Sequence, residues 1–164
     1  IENTFISASE KTMHDRIENQ YLNRSTPTAT ARLIETFFEN RLFASKYKKF
    51  LIRIMTETST GQDKLKSLLP PDCTVGHKTG SSDRTSTGVK IADNDAGFVL
   101  TPDGKRYYIA VFVSDSQEDD PTNASIIARI SAIVYDFMIR PTDPNRPTLC
   151  RPESVSADDA AGSP

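Results

Sequence analysis

The sequence predicts an α+β fold in which helices pack on an antiparallel β-sheet. Two segments within residues 25–58 have apolar residues at helical spacing, and three β-like runs follow within residues 74–116. A last segment with helical periodicity begins near residue 120. Since the three β-like runs follow one another without intervening helices, the sheet should be antiparallel, and an alternating βαβ architecture is disfavoured.

Residues 1–24 have neither a helical nor a strand period over any long window, so they predict a long irregular loop with short turns. The next stretch, "STPTATARLIETFFEN", predicts a helix with Pro27 at its first position and Ser25 or Thr26 as its N-cap. A second helix is predicted over residues 45–58, where apolar residues recur every three or four positions.

The three β-like runs are "TVGHKTG", "DNDAGFVLT" and "RYYIAVFVSDS". The turn "TPDGKR" joins the last two, and its Asp103-Gly104 pair between apolar runs is a strong hairpin signal. A final helix is predicted with Asp120 as its cap and Pro121 at its first position. Its predicted apolar side consists of Ile126, Ile127, Ile130, Ile133, Val134 and Phe137.

From residue 141 to residue 164 the chain is rich in proline and small polar residues, which is typical of a disordered tail. Charged residues make up 26% of the sequence and the formal net charge is -2, which argues against a nucleic-acid-binding surface. The apolar runs fall short of the ~20 residues that a membrane-spanning helix needs. The cysteines and histidines are isolated in the sequence, so no metal site and no cofactor is predicted.

A compact group of functional side chains lies at the end of the first β-like run. Lys78 and Thr79 supply a cation and a hydroxyl group, and Gly80 lets a ligand approach the backbone closely. Ser81 and Ser82 add two further hydroxyl groups. Such a patch suits a carboxylate ligand. The alternative is a solvated hairpin turn, because three-residue motifs are common by chance.

Glu10 lies in the irregular N-terminal segment, within "SASEKTMH". A carboxylate held on a loop over a site can act as a general base through a water molecule. The alternative is a solvated glutamate without a catalytic role.

A family resemblance rests on three stretches in the right order: "VGHKTGSS", then "ADNDAGFVLTPDGKRYYIAVFVSDS", then "NASIIARISAIVYDF", with the "STP" helix upstream. Together they resemble the C-terminal half of the class A serine β-lactamases, in particular the PER-like and VEB-like extended-spectrum subgroup. The resemblance runs from about residue 1 to residue 139. It implies a partial β-lactamase/transpeptidase-like domain over residues 1–140, a β-lactam as substrate, and a periplasmic or secreted location.

The resemblance assigns the following roles to residues of the loop. Residues 5–24 would be the omega loop, within an omega-loop region of residues 1–24, and Glu10 would be the base for the deacylating water. His14 falls where most class A enzymes have an asparagine, and the PER-like enzymes carry histidine there. Ala8 and Asn23 fall where most members have an Arg and an Asp that form a salt bridge across the loop, so this loop needs another support.

The resemblance also assigns roles to the KTG stretch. Lys78, Thr79 and Ser81 would bind the substrate carboxylate beside Gly80. The backbone N–H of Ser81 would be one of two oxyanion-hole donors. Lys64 falls in a loop where relatives can place a cation near the substrate carboxylate.

The family's nucleophile is not found before Glu10. Class A enzymes need an SxxK helix and an SDN loop upstream of the glutamate, and the SxxK of this chain, Ser45 to Lys48, lies after it. Ser45 is instead interpreted as a helix N-cap. "ADND" is not an SDN motif, since it lies on the strand after KTG. The chain is therefore expected to be inactive alone, to need the N-terminal half of the same domain, and to expose apolar faces.

Two other interpretations stay open. The chain could be a non-catalytic penicillin-recognising or interaction domain of the same fold. A penicillin-binding transpeptidase or carboxypeptidase shares KTG, but such proteins lack the omega-loop glutamate, so Glu10 weighs against that class.

Overall fold

The structure is a computed structural model that describes residues 2–39 and 44–139, so the tail predicted after residue 140 lies outside the described residues. Its three strands pair antiparallel in their sequence order, and the predicted α+β architecture is confirmed. In chain order the elements are α1 (Glu10–Asp15), a 3-10 helix (Ile17–Tyr21), α2 (Pro27–Glu39), α3 (Ser45–Thr56), β1 (Thr74–Ser81), β2 (Lys90–Leu100), β3 (Arg106–Ser116) and α4 (Asp120–Ile139).

The sheet carries helices on both faces because large apolar residues alternate along its strands. On one face, Phe98 of β2 packs with Phe38 of α2 and Met55 of α3. The rings of Phe38 and Phe98 lie 4.6 Å apart between centroids. On the other face, Val99 packs in a second cluster with Ile127 of α4. Successive side chains of a strand point to opposite faces, so β2 joins the two cores.

The turn between β2 and β3 is the predicted hairpin. The Thr101 N–H donates to the Lys105 carbonyl at 2.8 Å, and Gly104 has a φ of 82°, a value that favours glycine. The Lys105 ammonium, followed by the Thr101 hydroxyl, lowers the pKa of Asp103 to about 2. The Asp103 carboxylate is therefore charged at neutral pH, and its contacts with Thr101 and Lys105 stabilise the turn.

The N-terminus of α4 is capped one residue earlier than predicted. Asp119 Oδ1 accepts a hydrogen bond from the Thr122 N–H at 2.8 Å, whereas Asp120 lies inside the helix. The Asp120 carboxylate binds the Arg84 guanidinium at 2.6 Å and the Lys90 ammonium at 3.1 Å. These two cations, Arg84 foremost, lower the pKa of Asp120. Two consecutive aspartates made the capping residue ambiguous in the sequence.

The N-terminal segment is more regular than predicted, since it contains α1 and the 3-10 helix. Ser9 Oγ caps α1 by accepting a hydrogen bond from the Thr12 N–H at 3.2 Å. Neither short helix buries a residue. A helix that packs no apolar face needs no apolar residues at helical spacing, so the sequence carried no pattern that indicated these two helices.

The helix α4 presents apolar residues in two directions. Ala124, Ile127 and Ala128 are buried, and Ile127 packs in the cluster beside β3. The buried face is rotated from the predicted one, because other residues of the predicted side are exposed at 38 to 68%. The exposed residues are Ile126, Ile130, Ile133 and Phe137. Exposed apolar surface of this kind was expected of a partial domain.

Within the described residues, α4 is the one helix long and apolar enough to cross a membrane by length and composition. The sequence had not indicated such a segment. One face of α4 packs on the sheet, as in the core helix of a folded domain.

Candidate active site

A cavity of about 430 Å³ lies between α1, the end of β1 and the neighbouring part of β2. It brings together six of the seven predicted site residues, although α1 and β1 are far apart in the sequence. The six are Glu10, His14, Lys78, Thr79, Gly80 and Ser81. The seventh, Lys64, does not line the cavity.

The end of β1 is open to a ligand. Lys78 is exposed, and its ammonium donates to the backbone carbonyl of Thr79. The Thr79 hydroxyl lies 3.3 Å from that of Thr60. A side-chain carbon at Gly80 would meet no atom within 4 Å. The strand therefore offers a cation and a hydroxyl group beside free space.

The backbone N–H of Ser81 points to the open edge of the described sheet. The next residue, Ser82, donates its N–H to the Ala92 carbonyl of β2 at 2.9 Å. Because successive N–H groups of a strand alternate in direction, the Ser81 N–H points away from β2. A backbone donor in this position can hydrogen-bond an oxyanion held at the end of β1.

Glu10 and His14 lie one helical turn apart on α1, with Glu10 Oε1 3.4 Å from His14 Nε2. The other imidazole nitrogen of His14, Nδ1, lies 3.2 Å from Asp83 Oδ2. The hydrogen bonds to Asp83 and then to Glu10 raise the pKa of His14. When the His14 imidazole is doubly protonated, the Glu10 carboxylate therefore lies beside a positive charge.

Asn23 provides the support that the loop required. Its Oδ1 accepts hydrogen bonds from the N–H groups of Ser7 and Ala8 at 2.9 and 3.0 Å. Its Nδ2 donates to the Ala8 carbonyl at 2.9 Å. Phe5 and Arg24 also exchange two backbone hydrogen bonds at the base of the loop. Neutral hydrogen bonds therefore close the segment of residues 5–24, which we call the loop segment.

Replacing Asn23 by alanine is expected to open the loop segment. Trypsin cleavage at the exposed Lys11 and Arg16 should become roughly 100-fold faster, because the substitution removes three hydrogen bonds to the backbone and each contributes about 1 kcal/mol net. Limited proteolysis followed by mass spectrometry measures the rate. Asn23→Asp keeps the acceptor oxygens and should cleave at an intermediate rate; equal rates for all three proteins would contradict the role given to Asn23.

Lys64 is a correction to the sequence-based assignment. Its side chain is only 10% exposed, and its ammonium hydrogen-bonds Asp93 Oδ1 beneath the sheet. A buried cation needs such a partner, so Lys64 is held away from the cavity. The sequence did not indicate Asp93 as that partner.

A second buried pair lies beside the first. Asp95 and His77 have fully buried side chains, and Asp95 Oδ2 lies 2.8 Å from His77 Nδ1. The same oxygen accepts a hydrogen bond from the Leu65 N–H at 3.2 Å. Asp95 therefore ties the loop before β1 to the strand that carries KTG.

The SxxK of this chain does not reach the cavity. Ser45 is the first residue of α3, and Ala44 is its N-cap, without a side-chain hydrogen bond. The N-cap role predicted for Ser45 is therefore wrong. Neither Ser45 nor Lys48 lines the cavity formed by the described residues.

Sequence reasoning missed several residues of the cavity wall. Ala92 and Asn94 of β2 line it, on the side opposite Asp93 and Asp95. Strand alternation in "ADND" could have indicated this placement. No sequence signal indicated the other members. These are Met13 and Gln20, whereas Ser82, which also lines the cavity, had been grouped with the KTG stretch in the sequence.

Comparison with known proteins identifies the family. A family model described as "Beta-lactamase enzyme family" matches residues 2–138. A β-lactamase from Bacteroides uniformis is 55% identical over 134 residues, which cover 81% of this chain and 45% of that relative. The chain belongs to the class A β-lactamase family. VEB-1 from Pseudomonas aeruginosa is 39% identical over 136 residues, covering 82% of this chain and 45% of its own length.

Solved structures of class A β-lactamases share the fold. One from Bacteroides cellulosilyticus DSM 14838 has a TM-score of 0.80 at 56% identity, over 84% of this chain and 50% of that chain. TLA-3 extended-spectrum β-lactamase has a TM-score of 0.83 at 42% identity, over 85% and 51%. The chain thus spans about half the length of these β-lactamases, and it corresponds to their C-terminal half.

Proposed function

We propose that the chain forms the glutamate and KTG side of a class A β-lactamase active site, which hydrolyses the β-lactam ring through a serine acyl-enzyme. The observation that carries the proposal is the cavity in which Glu10 of α1 faces Lys78 and Ser81 of β1. A base for water, a cation for a carboxylate and an oxyanion donor are the groups that acyl transfer to water requires.

Each group has a distinct role in the proposed reaction. The Lys78 ammonium and the Thr79 hydroxyl bind the carboxylate of the β-lactam. The Ser81 N–H stabilises the oxyanion that forms when the lactam carbonyl is attacked. Glu10 then removes a proton from a water molecule, whose oxygen attacks the acyl carbonyl. The bond between that carbonyl carbon and the serine oxygen breaks, and the serine oxygen takes up the proton from Glu10.

The attacking serine is proposed to come from the N-terminal half of the same domain, which would make the chain inactive alone. A periplasmic or secreted location belongs to the same proposal. The exposed apolar face of α4 supports the need for a further half, since burying such a surface stabilises a folded domain.

A hybrid protein tests the proposal. It joins the N-terminal half of the Bacteroides uniformis relative to this chain, and we refer to it as the hybrid. The hybrid is expected to hydrolyse a chromogenic cephalosporin, whereas the 164-residue chain alone is not. Glu10→Gln in the hybrid should lower kcat by about 10²- to 10⁴-fold and leave a covalent acyl-enzyme visible by mass spectrometry, because water is no longer activated.

Glu18→Gln is the matched control, since Glu18 is exposed in the same segment and does not line the cavity. It should leave kcat unchanged. Two outcomes would overturn the proposal: turnover by the chain alone that Ser45→Ala abolishes, or a folded hybrid that binds the cephalosporin without acylation. The second outcome would indicate a non-catalytic binding domain of the same fold.

A further inference from the structure

A pair of reciprocal hydrogen bonds joins the loop segment to the residue just beyond β1. Asp83 Oδ2 accepts from Gln20 Nε2 at 2.8 Å, and the Asp83 N–H donates to Gln20 Oε1 at 3.1 Å. The two residues are 63 positions apart in the sequence. Two complementary bonds between one side chain and one residue fix both distance and orientation.

The same carboxylate oxygen also reaches His14. Asp83 Oδ2 lies 3.2 Å from His14 Nδ1, while His14 Nε2 lies 3.4 Å from Glu10 Oε1. A line of contacts therefore runs from Asp83 through the imidazole to the glutamate. We propose that Asp83 is a positioning residue that fastens the loop segment to the end of β1 and orients Glu10 through His14. This inference rests on the proposed function of Glu10.

The charged groups around His14 determine the pH range in which it bonds both Glu10 and Asp83. Glu10 faces it from α1 and Asp83 from the β1–β2 loop, and Lys78 is the cation of the same cavity. Doubly protonated imidazole donates to both carboxylates, whereas the neutral ring carries one N–H and donates to only one. Because the pKa of His14 is raised, its contribution is complete below about 6.5 and is lost as the pH rises through the raised value.

Asp83→Asn tests the inference, because it removes the charge and keeps the size of the side chain and the backbone bond to Gln20. NMR titration follows the imidazole signal of His14 in the 164-residue chain, which contains two histidines, His14 and His77. The same titration in the hybrid uses His14→Gln to assign the signal. We expect the pKa of His14 to fall toward ~6.5 in Asp83→Asn. Asp72→Asn, an exposed change of equal charge, should leave it unchanged.

The kinetic arm uses the hybrid. Asp83→Asn should lower kcat about 10- to 100-fold with little change in KM, and should shift the pH profile of kcat, because Glu10 is no longer held. Asp83→Glu should restore part of kcat. An unchanged His14 titration would overturn the inference, and so would a shifted titration with unchanged kcat. If the hybrid does not hydrolyse β-lactams but the His14 titration shifts as expected, the fastening by Asp83 is supported and the proposed function is contradicted.

Discussion

Replacing Asp95 by alanine is expected to lower the free energy of unfolding by about 3 kcal/mol. The Asp95 side chain is fully buried and bonds both His77 Nδ1 and the Leu65 N–H. Alanine leaves both donors without their acceptor inside the protein, where water does not replace it. Removing one member of a buried, hydrogen-bonded pair costs more than the pair itself contributes.

Urea denaturation of the chain and of the hybrid, followed by circular dichroism, measures this effect. Asp63→Ala is the matched control, because Asp63 lies exposed in the loop that Asp95 anchors. It should change the free energy of unfolding by no more than about 0.5 kcal/mol. Similar values for the two variants would show that the buried carboxylate does not anchor the loop.

Gly97→Ala is expected to destabilise the protein by about 2 to 3 kcal/mol. A side-chain carbon at Gly97 would lie 2.1 Å from the Gly76 carbonyl oxygen and 2.8 Å from His77 Cα. These are backbone atoms of β1, so the contact is relieved only if β1 and β2 move apart. Such a movement also displaces Lys78, the next residue of β1.

Gly80→Ala is the control that distinguishes the steric contact at Gly97 from a general effect of replacing a glycine. The added carbon at Gly80 would meet no atom within 4 Å, so the stability should change by no more than about 0.5 kcal/mol. Thermal unfolding of the two variants gives the comparison. Equal destabilisation by Gly97→Ala and Gly80→Ala would contradict the packing reason given for Gly97.

The sequence predicted the regular elements well where a physical pattern repeats. The β2–β3 hairpin followed from Asp103-Gly104 between apolar runs, and the start of α2 followed from Pro27, with Thr26 Oγ1 accepting from the Ala29 N–H as expected of a cap. The helix α1 was missed because it buries no residue and so leaves no periodic signal.

The site was predictable only in part, because its members differ in the information they leave in the sequence. Lys78 and Glu10 belong to short motifs, and they do line one cavity. Lys64 was misplaced because its partner, Asp93, is set by the strand alternation of β2. Asp83 was not indicated at all, since its contacts depend on the folded path that brings Gln20 beside it.

The ties between the loop segment and the sheet also determine when the site can form during synthesis. The Tyr21 hydroxyl donates to Asp115 Oδ1 at 2.7 Å, across 94 positions of the chain. At ribosomal rates of about 5–20 residues per second, Asp115 is made roughly 5–20 s after Tyr21. The loop segment that carries Glu10 can therefore bond β3 only after Asp115 has been synthesised.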